Sequence, residues 1–232
     1  MHMQWLSVIA LALSPGMALL AYFYLKDRYD TEPIASVTKV FAFGMLLVFP
    51  TMVLQRALVL GFGGHPLGMA FGISAGLEEF LKWFVVYYVI YKHQVFDEPY
   101  DGIVYCTAVS LGFATLENII YALLNTFTFS ALLFRALIPV SAHALFGVVM
   151  GYYMGLSKFE PQKRRKYLIY SLAFPIIWHG LLDFILLTVK TGWIKLVIPL
   201  MLILWILGLW KVNSANAKSP FRVVKRDDEI KI

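Results

Sequence analysis

The chain has 232 residues, 60% of them hydrophobic and only 15% charged, with a mean hydropathy of +0.72. A water-soluble domain runs nearer half apolar and a quarter charged, so this composition excludes an ordinary soluble domain and makes the bilayer the solvent for much of the chain. The net charge of +6 lies in short loops and the tail, which argues for membrane orientation over nucleic-acid binding, and the single Cys106 excludes an intrachain disulfide or a CxxC metal site.

A helix crosses a hydrocarbon core with about twenty residues, and apolar runs of that length predict seven spans, at about 5–25, 35–59, 68–91, 102–125, 132–156, 167–189 and 194–210. Met1-His2-Met3-Gln4-Trp5 enters the first run without the basic stretch of a signal peptide, so that span is expected to be retained. Pro15-Gly16 and Pro50 are candidate breaks in the first and second spans. Residues 1–210 read as a single transmembrane domain, and residues 211–232 as a polar, frayed cytoplasmic tail.

Alternate loops differ in charge. With the N-terminus outside, Lys26, Arg28, Lys39, Lys92, Lys158, the run Lys163 to Lys166 and the basic residues of the tail face the cytoplasm. Only Arg56, Arg135, Lys190 and Lys195 are left outside. Basic residues concentrate on the cytoplasmic side of membrane proteins. The predicted fold is therefore an all-α polytopic bundle of about seven transmembrane helices, N-terminus outside and C-terminus cytoplasmic.

Several of these apolar runs carry ionisable residues: Glu78-Glu79 and Lys82 in the third, Glu117 with Asn118 in the fourth, His143 in the fifth, His179 and Asp183 in the sixth. Charge in hydrocarbon is costly and marks a pathway, a proton relay or a reaction centre. Lys82 lies three and four residues beyond the glutamates and can neutralise either along one helix face, and His179 and Asp183 are one turn apart. Pro175, four residues before His179, is a candidate kink. Counting along spans of alternating direction places all of these groups in one layer, from the midplane to the outer half. Gly147, Gly151 and Gly155 follow His143 as a stripe of small residues on which another helix can close.

Each group taken alone has a plainer reading: a buried ion pair for Glu79 and Lys82, interhelical hydrogen bonding for Glu117-Asn118, a packing histidine at His143, an intrahelical bond for His179 and Asp183. Their agreement in depth favours a shared site. A buried glutamate can act as general base on water. Histidines and carboxylates from separate helices suit a zinc ion that activates water, although HExxH is absent. Ser74, Ser110 and Ser141 lack the GxSxG setting of a serine nucleophile. A transporter and a non-enzymatic regulator remain alternatives; a carrier would show internal repeats, and none is visible.

Glu78-Glu79-Phe80-Leu81-Lys82, Phe113-Ala114-Thr115-Leu116-Glu117-Asn118, His143 and His179-Gly180-Leu181-Leu182-Asp183 resemble the motifs of the PrsW family of bacterial membrane proteases. Tyr22 to Asp27 and Tyr100 to Tyr105 extend the likeness over nearly the whole chain. The resemblance implies an endopeptidase of the bacterial cell membrane. Such an enzyme makes the first, extracytoplasmic-side cut in a single-span anti-sigma factor, RsiW, and so begins the regulated intramembrane proteolysis that frees sigma-W under envelope stress. It implies no nucleic acid or nucleotide cofactor.

The family is distantly similar to the CAAX prenyl endopeptidases, whose pattern is EExxxR, FxxxH and HxxxN. Here the basic residue falls one position earlier, at Lys82, and Glu117 and Asp183 stand at the ends of the later motifs. The added carboxylates favour zinc over the metal-free glutamate catalysis argued for those relatives. The expected roles are Glu78 as base with Glu79 paired to Lys82 or sharing that role, His179 in catalysis, and Glu117, His143, His179 and Asp183 around zinc. Lys82 and Asn118 are expected to support the site.

Overall fold

A computed structural model describes residues 2–124 and 129–222, nearly all of them helical. Its elements are α1 (His2–Leu25), α2 (Ile34–Phe62), a π-helical segment Gly68–Ser74 running into α3 (Ala75–Val89), and α4 (Asp101–Leu124). They continue as α5 (Phe129–Arg135), a second π-helical segment Ala136–Val140 running into α6 (Ser141–Phe159), α7 (Arg164–Thr188) and α8 (Ile194–Ala217). Joined through their π segments, these make seven helical rods, as the apolar runs require. No strand is present among the described residues.

Five rods are long and apolar enough to cross a membrane: those containing α2, α4, α6, α7 and α8. The rod that ends in α3 carries Glu78, Glu79 and Lys82 at its middle, so its composition alone does not read as lipid-compatible. Those three side chains are instead buried inside the bundle. Apolar side chains point outward where a hydrocarbon solvent would meet them, among them Leu46, Phe49 and Val53 of α2 and Leu202 and Ile206 of α8.

Helix α4 is the axis of the molecule. Every residue from Asp101 to Thr115 is buried, against α1 and α2 on one side and α6 on the other. The α4–α6 seam is made by glycine: a Cβ at Gly147 would lie 2.7 Å from the Cys106 carbonyl, and one at Gly151 or Gly155 would collide with the backbone at Gly102 or Pro99. Backbones can approach this closely only where side chains are absent. The glycine stripe thus does what its spacing suggests, bringing His143 up against Phe113, with ring centroids 5.8 Å apart.

Three expectations need correction. Pro15 and Pro50 lie inside continuous helices and break neither, and Pro175 likewise lies inside α7. Proline is tolerated in membrane helices because neighbouring helices and hydroxyl side chains take up the freed backbone groups. Next to Pro50, the Thr51 hydroxyl donates to the Leu47 carbonyl at 2.7 Å. The last helix also continues past Lys211 to Ala217 instead of fraying there. Lys211 is buried over the rings of Tyr152 and Tyr153, 4.4 and 4.1 Å from their centroids, and Asn216 donates to the Lys26 carbonyl. Residues 223–232 of the tail lie outside the described residues.

The basic loops gather at one end of the bundle. Lys158 donates to the His93 carbonyl, Lys218 pairs with Glu160 at 2.9 Å, and Asn216 accepts from the Arg28 backbone N–H. This is the arrangement that alternating spans require.

Candidate active site

The ionisable residues singled out in the third to sixth apolar runs arrive at one place, far from the basic end. Glu117 is sixteen residues along α4 from Asp101, about 24 Å at the helical rise. His179 is about 22 Å along α7 from Arg164. Both π segments lead directly into the site, Gly68–Ser74 ahead of Glu78 and Ala136–Val140 ahead of His143. Wide turns of this kind occur often at functional positions. At Gly180, beside His179, a Cβ would run into the Phe71 ring, so the small residue lets α7 close on the first π segment.

Lys82, with no exposed surface, is the hub. Its ammonium donates to Glu79 Oε1 at 2.8 Å, to Glu78 Oε2 at 3.4 Å and to His143 Nδ1 at 3.2 Å. Glu79, also wholly buried, meets His179 Nδ1 at 2.8 Å through the same oxygen. A carboxylate at Nδ1 fixes the proton there and leaves Nε2 with a free electron pair, the arrangement that orients metal-binding or basic histidines. The two imidazoles are edge to face, with centroids 5.0 Å apart, and Phe146 stacks on His179 at 5.0 Å.

A second ring of groups faces these. His143 Nε2 lies 3.6 Å from Glu117 Oε2, and His179 Nε2 lies 3.5 Å from Asp183 Oδ2. Three partners were not picked out from the sequence. Gln55 of α2 donates to Glu78 at 3.1 Å, Ser74 donates to Asp183 at 2.5 Å, and Arg135 approaches Glu117 at 3.6 Å while donating to Asn118 at 3.0 Å. Arg135, expected as an outer basic residue, turns into the site. Asn118 also donates to the Ala12 carbonyl, tying α1 to this corner. Gln55 was findable as a lone amide in an apolar run, whereas Ser74 and Arg135 carry no spacing signal.

Between the rings lies a cavity of about 160 Å³, lined by Ser74, Glu78, Glu117, His143, His179 and Asp183 among others. It adjoins a wider groove of about 360 Å³ between α2 and α7, whose walls include Val59, Ile73, Leu186 and Leu187. The polar groups thus open onto a groove that they share with apolar side chains of α2, α7 and the first π segment.

The donor set fits a metal. Ligand atoms of Glu78, Glu79, His143 and His179 all lie within 4.8 Å of one another, and imidazole with carboxylate is a zinc-type set. Glu79 Oε2 is buried without a hydrogen-bond partner. Four carboxylates, Glu78, Glu79, Glu117 and Asp183, face two fixed cations, Lys82 and Arg135, which leaves two negative charges for a divalent ion or two protons to balance. Uncompensated charge at such depth is expensive.

A polytopic helical membrane protein with a buried Glu/His/Lys centre open to a groove has the groups that a membrane-embedded hydrolase needs. The profile described as "PrsW family intramembrane metalloprotease" matches residues 32–209. "Protease PrsW" of Geobacillus kaustophilus is 51% identical over 211 residues, covering 90% of this chain and 92% of that protein. "Protease PrsW" of Bacillus subtilis is 46% identical over 94% of this chain and 99% of its own length. The protein of the same name from Clostridioides difficile is 32% identical over 90% of this chain and 89% of its own. No solved structure matches. The chain belongs to the PrsW family and is an intramembrane protease, a multi-pass protein that works on protein substrate within the bilayer. The carrier and the non-enzymatic regulator are thereby set aside.

Proposed function

We propose that the chain makes the first, extracytoplasmic-side cut in a single-span anti-sigma factor in a bacterial cell membrane, beginning regulated intramembrane proteolysis under envelope stress. On this reading the N-terminus is outside and the site lies in the outer half of the bilayer. One observation carries the proposal: Glu78, held by Gln55 and Lys82, lines the same cavity as both histidines, at the inner wall of an apolar groove.

Glu78 is the general base, taking a proton from water directed at the scissile carbonyl. Glu79 holds His179 Nδ1–H and, with Lys82, fixes the imidazole plane. The groove orients the extended substrate strand and excludes bulk water. Zinc would be held through His143 and His179, the histidines of the close-set group, with Glu117 and Asp183 facing them to complete the shell, and when bound it would supply a Lewis acid and lower the pKa of water. A metal-free reading rests on Lys82, whose ammonium already occupies the space among Glu78, Glu79 and His143. There Glu78 works alone, with His143 Nε2–H steadying the oxyanion.

The test is cleavage of a purified single-span anti-sigma factor by the purified protein in nanodiscs, with fragment masses locating the cut and elemental analysis counting metal. One zinc per chain, and loss of cleavage on verified stripping with recovery on zinc return, supports the metal reading. Full activity after verified stripping supports the metal-free one. Binding of the substrate with no cut under any metal condition removes the proposed function.

A further inference from the structure

A second buried acidic group lies at the basic end of the bundle, outside the protease centre and independent of how that centre works. Asp27 follows α1, Glu98 lies in the loop before α4, and Asp101 is the first residue of α4; one oxygen from each lies within 4.8 Å of the others. Glu98 and Asp101 have no exposed surface, and Asp27 has 8%. Glu32, 4% exposed, adjoins them, accepting a hydrogen bond from the Tyr105 hydroxyl.

The group is held in place by bonds that do not satisfy it. Asp101 Oδ2 accepts the backbone N–H groups of Asp97 and Glu98 at 2.6 and 2.8 Å, which fixes the loop against the helix. Tyr100 donates to the Phe23 carbonyl at 2.7 Å, and Tyr24 donates to the Glu32 carbonyl at 2.8 Å, so both loops are fastened around the acids. Yet both oxygens of Glu98 and the remaining oxygen of Asp101 accept no hydrogen bond from an N–H or hydroxyl group. Buried polar atoms are almost always partnered, and a wholly buried carboxylate with neither oxygen bonded requires something to hold it.

We propose that Asp27, Glu98 and Asp101, with Glu32 beside them, form a binding site for a hard divalent cation of calcium size. The donors are all oxygen, which selects calcium or magnesium over zinc or copper. The number of buried carboxylates separates those two: Ca²⁺ takes several protein oxygens in a flexible shell, whereas Mg²⁺ keeps most of its waters and binds through only one or two carboxylates. The cation ties the α1–α2 loop to the start of α4, the buried helix against which α1, α2 and α6 pack.

Full-length protein in detergent, stripped of divalent cations and shown folded, is titrated with CaCl₂ and separately with MgCl₂, reading bound cation by equilibrium dialysis and the thermal midpoint in parallel. One Ca²⁺ per chain, a raised midpoint, and Mg²⁺ bound at least tenfold more weakly are expected. Tb³⁺ should occupy the same site with emission sensitised by the adjacent tyrosines and displaced by Ca²⁺. Glu98→Gln should weaken Ca²⁺ at least tenfold, while Glu79→Gln, in the other cluster, should leave Ca²⁺ affinity unchanged. Should Glu98→Gln fail to fold, Asp27→Asn carries the same comparison. No saturable Ca²⁺ up to 10 mM (about ten thousand times a micromolar dissociation constant) would mean that shared protons hold the acids together, and it would overturn the proposal. So would wild-type affinity in the folded variants.

Discussion

The molecule buries two acidic groups, and they are neutralised differently. At the protease centre Lys82 and Arg135 reach into the carboxylates, and two imidazoles complete a hydrogen-bonded ring. At the basic end, Glu98 and its neighbours gather with oxygens left unbonded. The first group contains bases, acids and donors with alternative partners, as proton transfer to and from water needs. The second offers only oxygens fixed by two loops, as a cation brace needs. Burial of carboxylates alone does not distinguish a reaction centre from a structural site; the identity of the countercharge does.

That contrast can be broken at several points. The largest effect is expected from His179→Ala and Glu79→Gln, each lowering kcat/KM on a single-span substrate by roughly 10²–10⁴-fold. Their melting curves in detergent should remain cooperative. Activity near wild type in Glu79→Gln would show that the Glu79–His179 bond does not orient the imidazole. Lys82→Met strands Glu79 with no exposed surface and should cost about 3–5 kcal/mol in denaturant unfolding, as for a broken buried pair. An unchanged unfolding midpoint would show that another cation already serves the carboxylate.

Calcium at a hundred times its dissociation constant should add about 2.7 kcal/mol at the other cluster. The pH dependence of the stripped protein sharpens this. Burial, with the Glu98 carboxylate alongside, pushes Asp27 up to about 8, and burial pushes Glu32 up to about 7. Unfolded, both release their protons near pH 4. The folded state therefore holds more protons between about pH 4 and 8, and stability should fall as pH rises through that window. Saturating Ca²⁺ should flatten the decline; a stability that rises with pH in chelator would contradict these directions.

Smaller effects test the frame. Gly151→Ala places a methyl group against the Gly102 backbone and should cost about 1–3 kcal/mol by overpacking, with some loss of activity as His143 shifts. Lys218→Ala removes a partly exposed pair with Glu160 and should change stability by less than about 1 kcal/mol.

Much of this architecture is legible in the sequence because hydrocarbon imposes simple rules. Seven apolar runs give seven rods, and the Gly147, Gly151 and Gly155 stripe foretells the closest helix contact. Polar residues in those runs meet because each is too costly to leave in lipid alone. Other features depend on partners that no local pattern shows. Arg135 reads as an outer-face cation near the start of the fifth run until α5 and its π segment aim it at Glu117. Helix α8 outlasts its apolar run because Tyr152 and Tyr153 cover Lys211. The Asp27, Glu98 and Asp101 group joins residues from two loops and a helix start, with two whole rods between them in the chain. Each reads on its own as an ordinary solvated loop charge, so only the fold assembles them.

The most direct measurement of the central claim is single-turnover cleavage of a single-span anti-sigma factor in nanodiscs by wild type and by Glu78→Gln. One cut on the extracytoplasmic side of the substrate span is expected from the wild type. The folded variant should bind the substrate equally well and cut it at least a hundredfold more slowly. Equal rates for the two proteins would remove Glu78 as the base and, with it, this account of the site.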